Sequence, residues 1–364
     1  MSSRLIGGSA DMAERFARVR KFSKSIRASE YSLTSACNIR CTGCWFFEHK
    51  FDETRDEKDI AVLRSFIETE VKRGVNAALL IGGEPTLFPE RVAEYVRAME
   101  FVTISSNGLH RFPVEGFETV AIALSLFGGG PVDDHLRAIK PSGKRFTGLF
   151  DKALANYHGD RRAHFVYALT ESAIEHIDET VSRIADNGNA VTFNFYSAHD
   201  KADPLRVDGQ QRLLDEVLRV HEKYRDIVTS TPLYIEAMIT GKTSWGQFGY
   251  DVCPSISVDH PAHADRLKNG NLALAGFNAW GSDLKTLNFC CTSGHCEDCR
   301  DSQAVFSWLL VSPHKFARSP AGIEGWVELA ESYWAQFAWS PYHQPRRPPK
   351  PVKPVRKMIG LVPA

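Results

Sequence analysis

Tyr31-Ser32-Leu33-Thr34-Ser35-Ala36-Cys37-Asn38-Ile39-Arg40-Cys41-Thr42-Gly43-Cys44 runs from a β-type stretch straight into a loop with three cysteines at C-x3-C-x2-C spacing. Three thiolates on one tight loop can bind three irons of a cubane iron-sulfur cluster, and with no fourth cysteine nearby one iron stays open to another ligand. Ferredoxin-type carriers spend four thiolates per cluster, which closes every iron. On spacing alone, a structural zinc held by the three cysteines and His49 stays open as the other reading.

Outward from this stretch, short apolar runs alternate with helical patterns as far as about residue 226. Strands are expected at Tyr31 to Ser35, Ala77 to Ile81, Phe101 to Ser105, Val120 to Leu126, His164 to Leu169 and Val191 to Tyr196. Helices are expected at Asp56 to Arg73, Pro89 to Met99, Arg145 to Tyr157, Ser172 to Asn187 and Gln210 to Tyr224, while the connection around Arg111 to Gly116 gives only a weak helical pattern. Parallel strands need crossovers of a dozen or more residues, so this alternation implies a parallel sheet. Six units are too few to close the eight-unit barrel, and the expected class is α/β: a partial (β/α)6 TIM-type barrel with a small C-terminal α+β cluster-binding domain. Active residues should then gather on the loops at the carboxyl ends of the strands, where Cys37 to Cys44, Gly82 to Glu84 and Ser106 to Asn107 all begin.

Gly82-Gly83-Glu84-Pro85-Thr86-Leu87 follows the second strand: two glycines admit close backbone approach to a ligand, and Glu84 can accept a hydrogen bond from an ammonium group. One unit later comes Thr103-Ile104-Ser105-Ser106-Asn107-Gly108. In this ordered set, residues 29 to 226 resemble the radical S-adenosylmethionine (SAM) superfamily. The resemblance implies that Cys37, Cys41 and Cys44 ligate a reducing [4Fe-4S] cluster whose open iron is chelated by SAM. It also implies that Gly82, Gly83, Glu84 and Pro85 meet the methionine amino group and that Ser106 and Asn107 lie near the nucleoside. Leu124-Ser125-Leu126-Phe127-Gly128 and Asp134-His135-Leu136-Arg137 are similar to the fourth-strand region of the family, making Ser125 and Arg137 candidates for the ribose and carboxylate of SAM; a guanidinium is a natural bidentate partner for a carboxylate. Three positions depart from the pattern. Gly43 stands where an aromatic residue usually packs near the adenine, with Trp45 or Phe46 as substitutes. Phe127 replaces an aspartate. Leu169-Thr170-Glu171-Ser172 is similar to the turn after strand five but lacks its usual asparagine.

All eight cysteines fall in two groups; the second is Cys253, Cys290, Cys291, Cys296 and Cys299. Disulfides are an unlikely reason for clustering in a reducing compartment. The group resembles the twitch and SPASM appendages of the superfamily, and five cysteines saturate one cluster, so the shorter twitch type and a second, auxiliary [4Fe-4S] cluster are expected. Its ligands would be Cys253, Cys296, Cys299 and one of Cys290 or Cys291. A structural zinc, with His295, and unmetallated core cysteines are the alternatives.

The 364 residues are 43% apolar and 24% charged, ordinary for a globular chain, and 44 basic against 44 acidic residues leave no net charge to steer it onto nucleic acid. No apolar run reaches the roughly 20 residues of a membrane span, and Met1-Ser2-Ser3-Arg4 lacks the start of a signal peptide, so a cytoplasmic protein is expected. Five segments are expected: a basic extension, 1–28, read as a solvated helix from about Asp11 to Phe22; the barrel, 29–227; the auxiliary-cluster domain, 228–312; a C-terminal helix, 313–340, centred on Gly322 to Ala338; and a Pro-rich basic tail, 341–364, too polar to bury a core.

The expected activity is reductive cleavage of SAM to a 5'-deoxyadenosyl radical that abstracts hydrogen from a small-molecule substrate, with flavodoxin or ferredoxin as electron donor. A saturated auxiliary cluster suits a net oxidation such as alcohol dehydrogenation. Peptide modification ranks second, because residues 1–28 are short for a peptide-recognition domain. A zinc-stabilised nucleic-acid-binding module comes last, since it leaves Gly82 to Thr86 and Ser106 to Asn107 unexplained. Tyr196 and His199, at the end of the sixth strand, point toward the substrate face but read first as packing or loop residues.

Overall fold

The computed structural model describes residues 10–196, 210–241, 256–261, 277–290 and 299–335. Six strands, β1 (Ala28–Thr34), β2 (Ala77–Gly82), β3 (Phe101–Ser106), β4 (Ala121–Leu126), β5 (Ala163–Leu169) and β6 (Ala190–Phe195), lie side by side in chain order, every pair parallel. Sequential neighbours with no reversal of order are the mark of a barrel wall rather than a doubly wound sheet. The fold class is therefore the expected one, an α/β parallel sheet of partial-barrel type.

The described α-helices are α1 (Ala10–Ser25), α2 (Trp45–Glu48), α3 (Ile60–Lys72), α4 (Pro89–Ala98), α5 (Gly130–Leu136), α6 (Leu149–Asn156), α7 (Ile177–Asp186), α8 (Gln210–Lys223), α9 (Pro232–Thr240), α10 (Ser302–Val311), α11 (Pro313–Phe316) and α12 (Pro320–Ala335). Tyr31 of β1 packs between Phe66 of α3 and Tyr95 of α4, with ring centroids 5.9 and 4.9 Å away, which fixes the helices on the outer face of the wall. Its hydroxyl donates to Oε2 of the buried Glu70 at 2.9 Å. The same carboxylate oxygen accepts from Trp280 Nε1 at 3.0 Å. Trp280 lies in β7 (Ala279–Trp280), which pairs parallel to β1, and β8 (Leu287–Asn288) pairs antiparallel to β7. The described part of 228–312 thus extends the barrel sheet beyond β1, clamped by Glu70.

The connection from β3 to β4, weak in the sequence, contains no helix. Arg162 binds its carbonyls instead: Nη1 donates to Pro113 O at 2.6 Å and Phe117 O at 3.1 Å, and Nη2 to Phe112 O at 3.2 Å. Tyr157 Oη donates to His110 O at 2.8 Å and accepts from Phe112 N. These side chains meet the backbone hydrogen bonds that a helix would have met internally.

The leading helix is not a solvated appendage, and here the structure corrects the sequence reading. Met12, Val19 and Ile26 enter the main apolar cluster, and Phe16 packs on Trp326 of α12. Arg15 and Arg18 both pair with Glu331 of α12, at 2.8 and 2.6 Å, a carboxylate only 7% exposed. The charge run has a buried partner more than 300 residues away, which no local pattern reveals. No described helix is long and apolar enough to cross a membrane.

Candidate functional site

The three cysteines occupy the loop between β1 and α2. Its entry is held by Asp56, which accepts from Thr34 Oγ1 at 2.6 Å and from Ser35 N and Ser35 Oγ at 2.8 Å. Burial acts to raise this carboxyl, and the bonds from Thr34 and Ser35 outweigh it and hold it below the usual range. Its exit turns on Gly43, whose φ of +69° is a left-handed conformation that an aromatic residue would adopt only under strain. Of the proposed substitutes, Phe46 is sealed at 1% exposure inside a ring cluster with Trp45, Phe47 and Phe51, whereas Trp45 is half-buried.

Burial pushes the Cys37 thiol up to about 12 and the Cys44 thiol up to about 11, and Cys41 is also raised by burial despite the guanidinium of Arg137 beside it. Thiols so placed keep their protons until a cation displaces them. They also raise one another's pKa, so they share one neighbourhood. Yet among the described residues no three His, Cys, Asp or Glu side chains are gathered around a single ion position. A cubane cluster asks for something different, one thiolate on each of three irons.

The Gly82–Pro85 turn lies directly against this loop. Gly83 N donates to Thr34 O at 2.7 Å and Glu84 N to Ala36 O at 2.9 Å. A Cβ on Gly82 would stand 2.4 Å from Thr34 O, and one on Gly83 only 2.1 Å from Ala36 O. The glycines thus admit the cysteine loop's own backbone, a use that sequence reading had reserved for a ligand. Glu84 is 1% exposed and turned inward: Oε1 accepts from Thr86 N at 3.1 Å and Thr86 Oγ1 at 2.6 Å, and Oε2 from Asn107 N at 2.8 Å. Burial raises its pKa against these bonds. The carboxylate ties the loop after β2 to the loop after β3. Asn107 Nδ2 then donates to Asn38 Oδ1 at 2.7 Å, joining both to the cysteine loop. Ser106 Oγ accepts from Gly108 N at 3.0 Å and shapes the same turn.

Arg137 reaches the loop from the other side. Arg40 N and Thr42 N donate to Ile139 O and Leu136 O, both at 2.7 Å, bracketing Cys41 against the segment that carries Arg137. The guanidinium is 3% exposed; its Nη1 donates to the backbone oxygen of Ser125 and, at 2.7 Å, to Asp133 Oδ1. Asp133, fully buried, also accepts from Phe127 N at 3.2 Å and Gly129 N at 2.5 Å. Burial works against the charge on Arg137, but Asp133 and Cys41 raise its pKa well above the ordinary value. Asp134 is spent capping α6, accepting from Gly148 N at 2.8 Å and Leu149 N at 3.0 Å. Ser125 stays half-buried. Tyr196 packs edge-on to Phe127 at 6.0 Å.

The structure thus brings together Cys37, Cys41, Cys44, Gly82, Gly83, Glu84, Pro85, Ser106, Asn107, Ser125 and Arg137 at the carboxyl ends of β1 to β4. Asn38, Asp56 and Asp133 escaped sequence reading: Asn38 and Asp56 take their partners from other loops, and Asp133 acts as a buried partner of Arg137 and of the backbone before α5. Of the second cysteine group, Cys290 is buried and bridges antiparallel to Ile256, and Cys299 is half-buried. Cys253, Cys291, Cys296, His199, His295 and the tail lie outside the described residues.

No curated protein matches this sequence. Among solved structures, SuiB of Streptococcus suis bound to its precursor peptide SuiA is similar at a TM-score of 0.50 and 14% identity, over 81% of this chain and 68% of that one. Native anSMEcpe with bound AdoMet is similar at 0.46 and 13% identity, over 63% and 70%. At such identities the likeness to SuiB bears on the fold alone. The sequence itself goes further: residues 31–164, from β1 to the start of β5 and so including every loop of the site, match the model of the Radical SAM superfamily.

Proposed function

We propose that this chain is a radical SAM enzyme acting on a small molecule. The observation that carries the reading is the union of three strand-end loops around the cysteines through Glu84, Asn107 and Asn38, within the segment that matches the superfamily. The buried, protonated thiols fit a group that brings positive charge and needs three separate thiolates. Cys37, Cys41 and Cys44 would hold a [4Fe-4S] cluster with one iron left for SAM. When bound, the cluster would supply the electron that splits SAM into methionine and a 5'-deoxyadenosyl radical, which takes hydrogen from the substrate.

Around that group the chain's own residues bind and orient. The half-exposed backbone of Gly82 and Gly83 would meet the methionine amino group, with Glu84 holding the turn from behind. Ser106 and Asn107 would set the third loop near the nucleoside. Ser125 would meet the ribose, and Arg137, held by Asp133 beside the Cys41 thiol, would meet the SAM carboxylate. Reduced protein incubated with SAM should release 5'-deoxyadenosine, and Cys41→Ala should abolish the release. Equal product from the variant would refute the assignment.

The second cysteine group would hold an auxiliary [4Fe-4S] cluster in a twitch-like segment. Supporting this, Ile256, three residues after Cys253, is bridged to Cys290, and Cys290 is buried. Anaerobic reconstitution should give about eight irons per chain, as two cubanes require; about four would eliminate the second cluster. A peptide substrate is the second reading, favoured by the fold shared with SuiB, which was crystallised with a precursor peptide.

A further inference from the structure

Asn38 follows the first cysteine, and its amide orientation is dictated from outside the loop. Leu109 N donates to Asn107 Oδ1 at 2.9 Å, so the other end of that amide must be Nδ2. Asn107 Nδ2 then donates to Asn38 at 2.7 Å and requires an oxygen there. By elimination Asn38 Nδ2 points the opposite way. It is shielded from solvent and has no hydrogen-bond partner, while Oδ1 of the same amide lies 4.0 Å from Cys37 Sγ. Asn107 is itself pinned by its backbone N–H to Glu84. A buried donor held this firmly without an acceptor is costly, and folded proteins leave few of them.

We propose that Asn38 is a further binding residue of the site, its Nδ2 donating to an anionic acceptor of the loaded cofactor assembly, either a cluster sulfur or the carboxylate of bound SAM. This rests on the proposed function, in which the neighbouring cysteines hold the cluster. Glu84 and Asn107 are then positioning residues, acting through Asn38.

Asn38→Asp tests this with little change of shape, since it keeps an oxygen for Asn107 Nδ2 and replaces only the unpaired donor. Reconstituted wild type and variant are compared by iron and sulfide content, by redox titration and EPR of the reduced cluster without SAM, and by SAM binding. If the acceptor is a cluster sulfur, the SAM-free EPR signal changes. The variant also becomes harder to reduce, by about tenfold in the reduced-to-oxidised ratio at fixed potential, or about 59 mV for one electron. If the acceptor is the SAM carboxylate, the SAM-free cluster is unchanged and SAM binds about tenfold or more weakly. Asn38→Ala, which is uncharged, should move the same readout in the same direction. Full iron content with both readouts unchanged would overturn the proposal. So would loss of iron from both variants, because neither removes a metal ligand and a purely structural role would then suffice. A wild type that takes up no iron defeats the proposed function instead, and does so before any variant is compared.

Discussion

Gly83→Ala is expected to abolish stable iron binding while leaving the barrel folded. The new methyl carbon would sit 2.1 Å from Ala36 O, 2.5 Å from Ala36 C and 3.0 Å from Cys37 N, and all three are backbone atoms that no rotamer change can move aside. The cysteine loop must retreat by about 1 Å, which also lengthens the bonds from Gly83 N to Thr34 O and Glu84 N to Ala36 O. Overpacking of this kind costs about 1–3 kcal/mol, too little to unfold most domains but concentrated on the first cysteine. Gly325→Ala in α12 is the control, since its Cβ would meet nothing within 4 Å and its helical position favours alanine. Iron content after reconstitution, with circular dichroism as the check on folding, decides the matter. A Gly83→Ala protein with a full complement of iron would show that the loop can move freely, contrary to its packing against the turn.

Asp133→Ala is expected to be the most destabilising single change at the site, by about 3–5 kcal/mol in the free energy of unfolding. Asp133 is fully buried and Arg137 3% exposed, so removing the carboxylate strands a guanidinium where water cannot replace the lost partner. The N–H groups of Phe127 and Gly129 lose their acceptor at the same time. Urea denaturation measures the loss. Adding Arg137→Met should return a large part of it, because a buried pair replaced by apolar groups often costs little. A single variant within about 1 kcal/mol of wild type would mean that Arg137 finds another partner or reaches solvent.

These two positions also show what sequence reading could and could not see. All six parallel strands were legible because each is a short apolar run ended by turn residues, and their observed bounds shift by at most three residues. Helices α9 and α10 were missed: α10 is buried from Ala304 to Leu310 and has no polar face to give a period, while α9 is nine residues long, mostly apolar, and exposes only the short stripe of Pro232 and Glu236. Helix α5 is short and begins Gly130-Pro131, which reads as a turn. The pair of α1 with Glu331 spans the length of the chain and leaves no local trace.

At the site, the cysteine spacing and the Gly-Gly-Glu turn are visible because their chemistry depends on residue type and sequence distance. Sequence alone therefore determined the parallel α/β wall and the order of the three loops along it. Only the tertiary structure decided how those residues are employed: Gly82 and Gly83 make room for backbone, Glu84 and Arg137 are buried and partnered inside the protein, and Asn38 is left with a donor unspent. Hydrogen-bond partners on different loops are set by three-dimensional distance, and the spacing of residues along the chain carries no record of it.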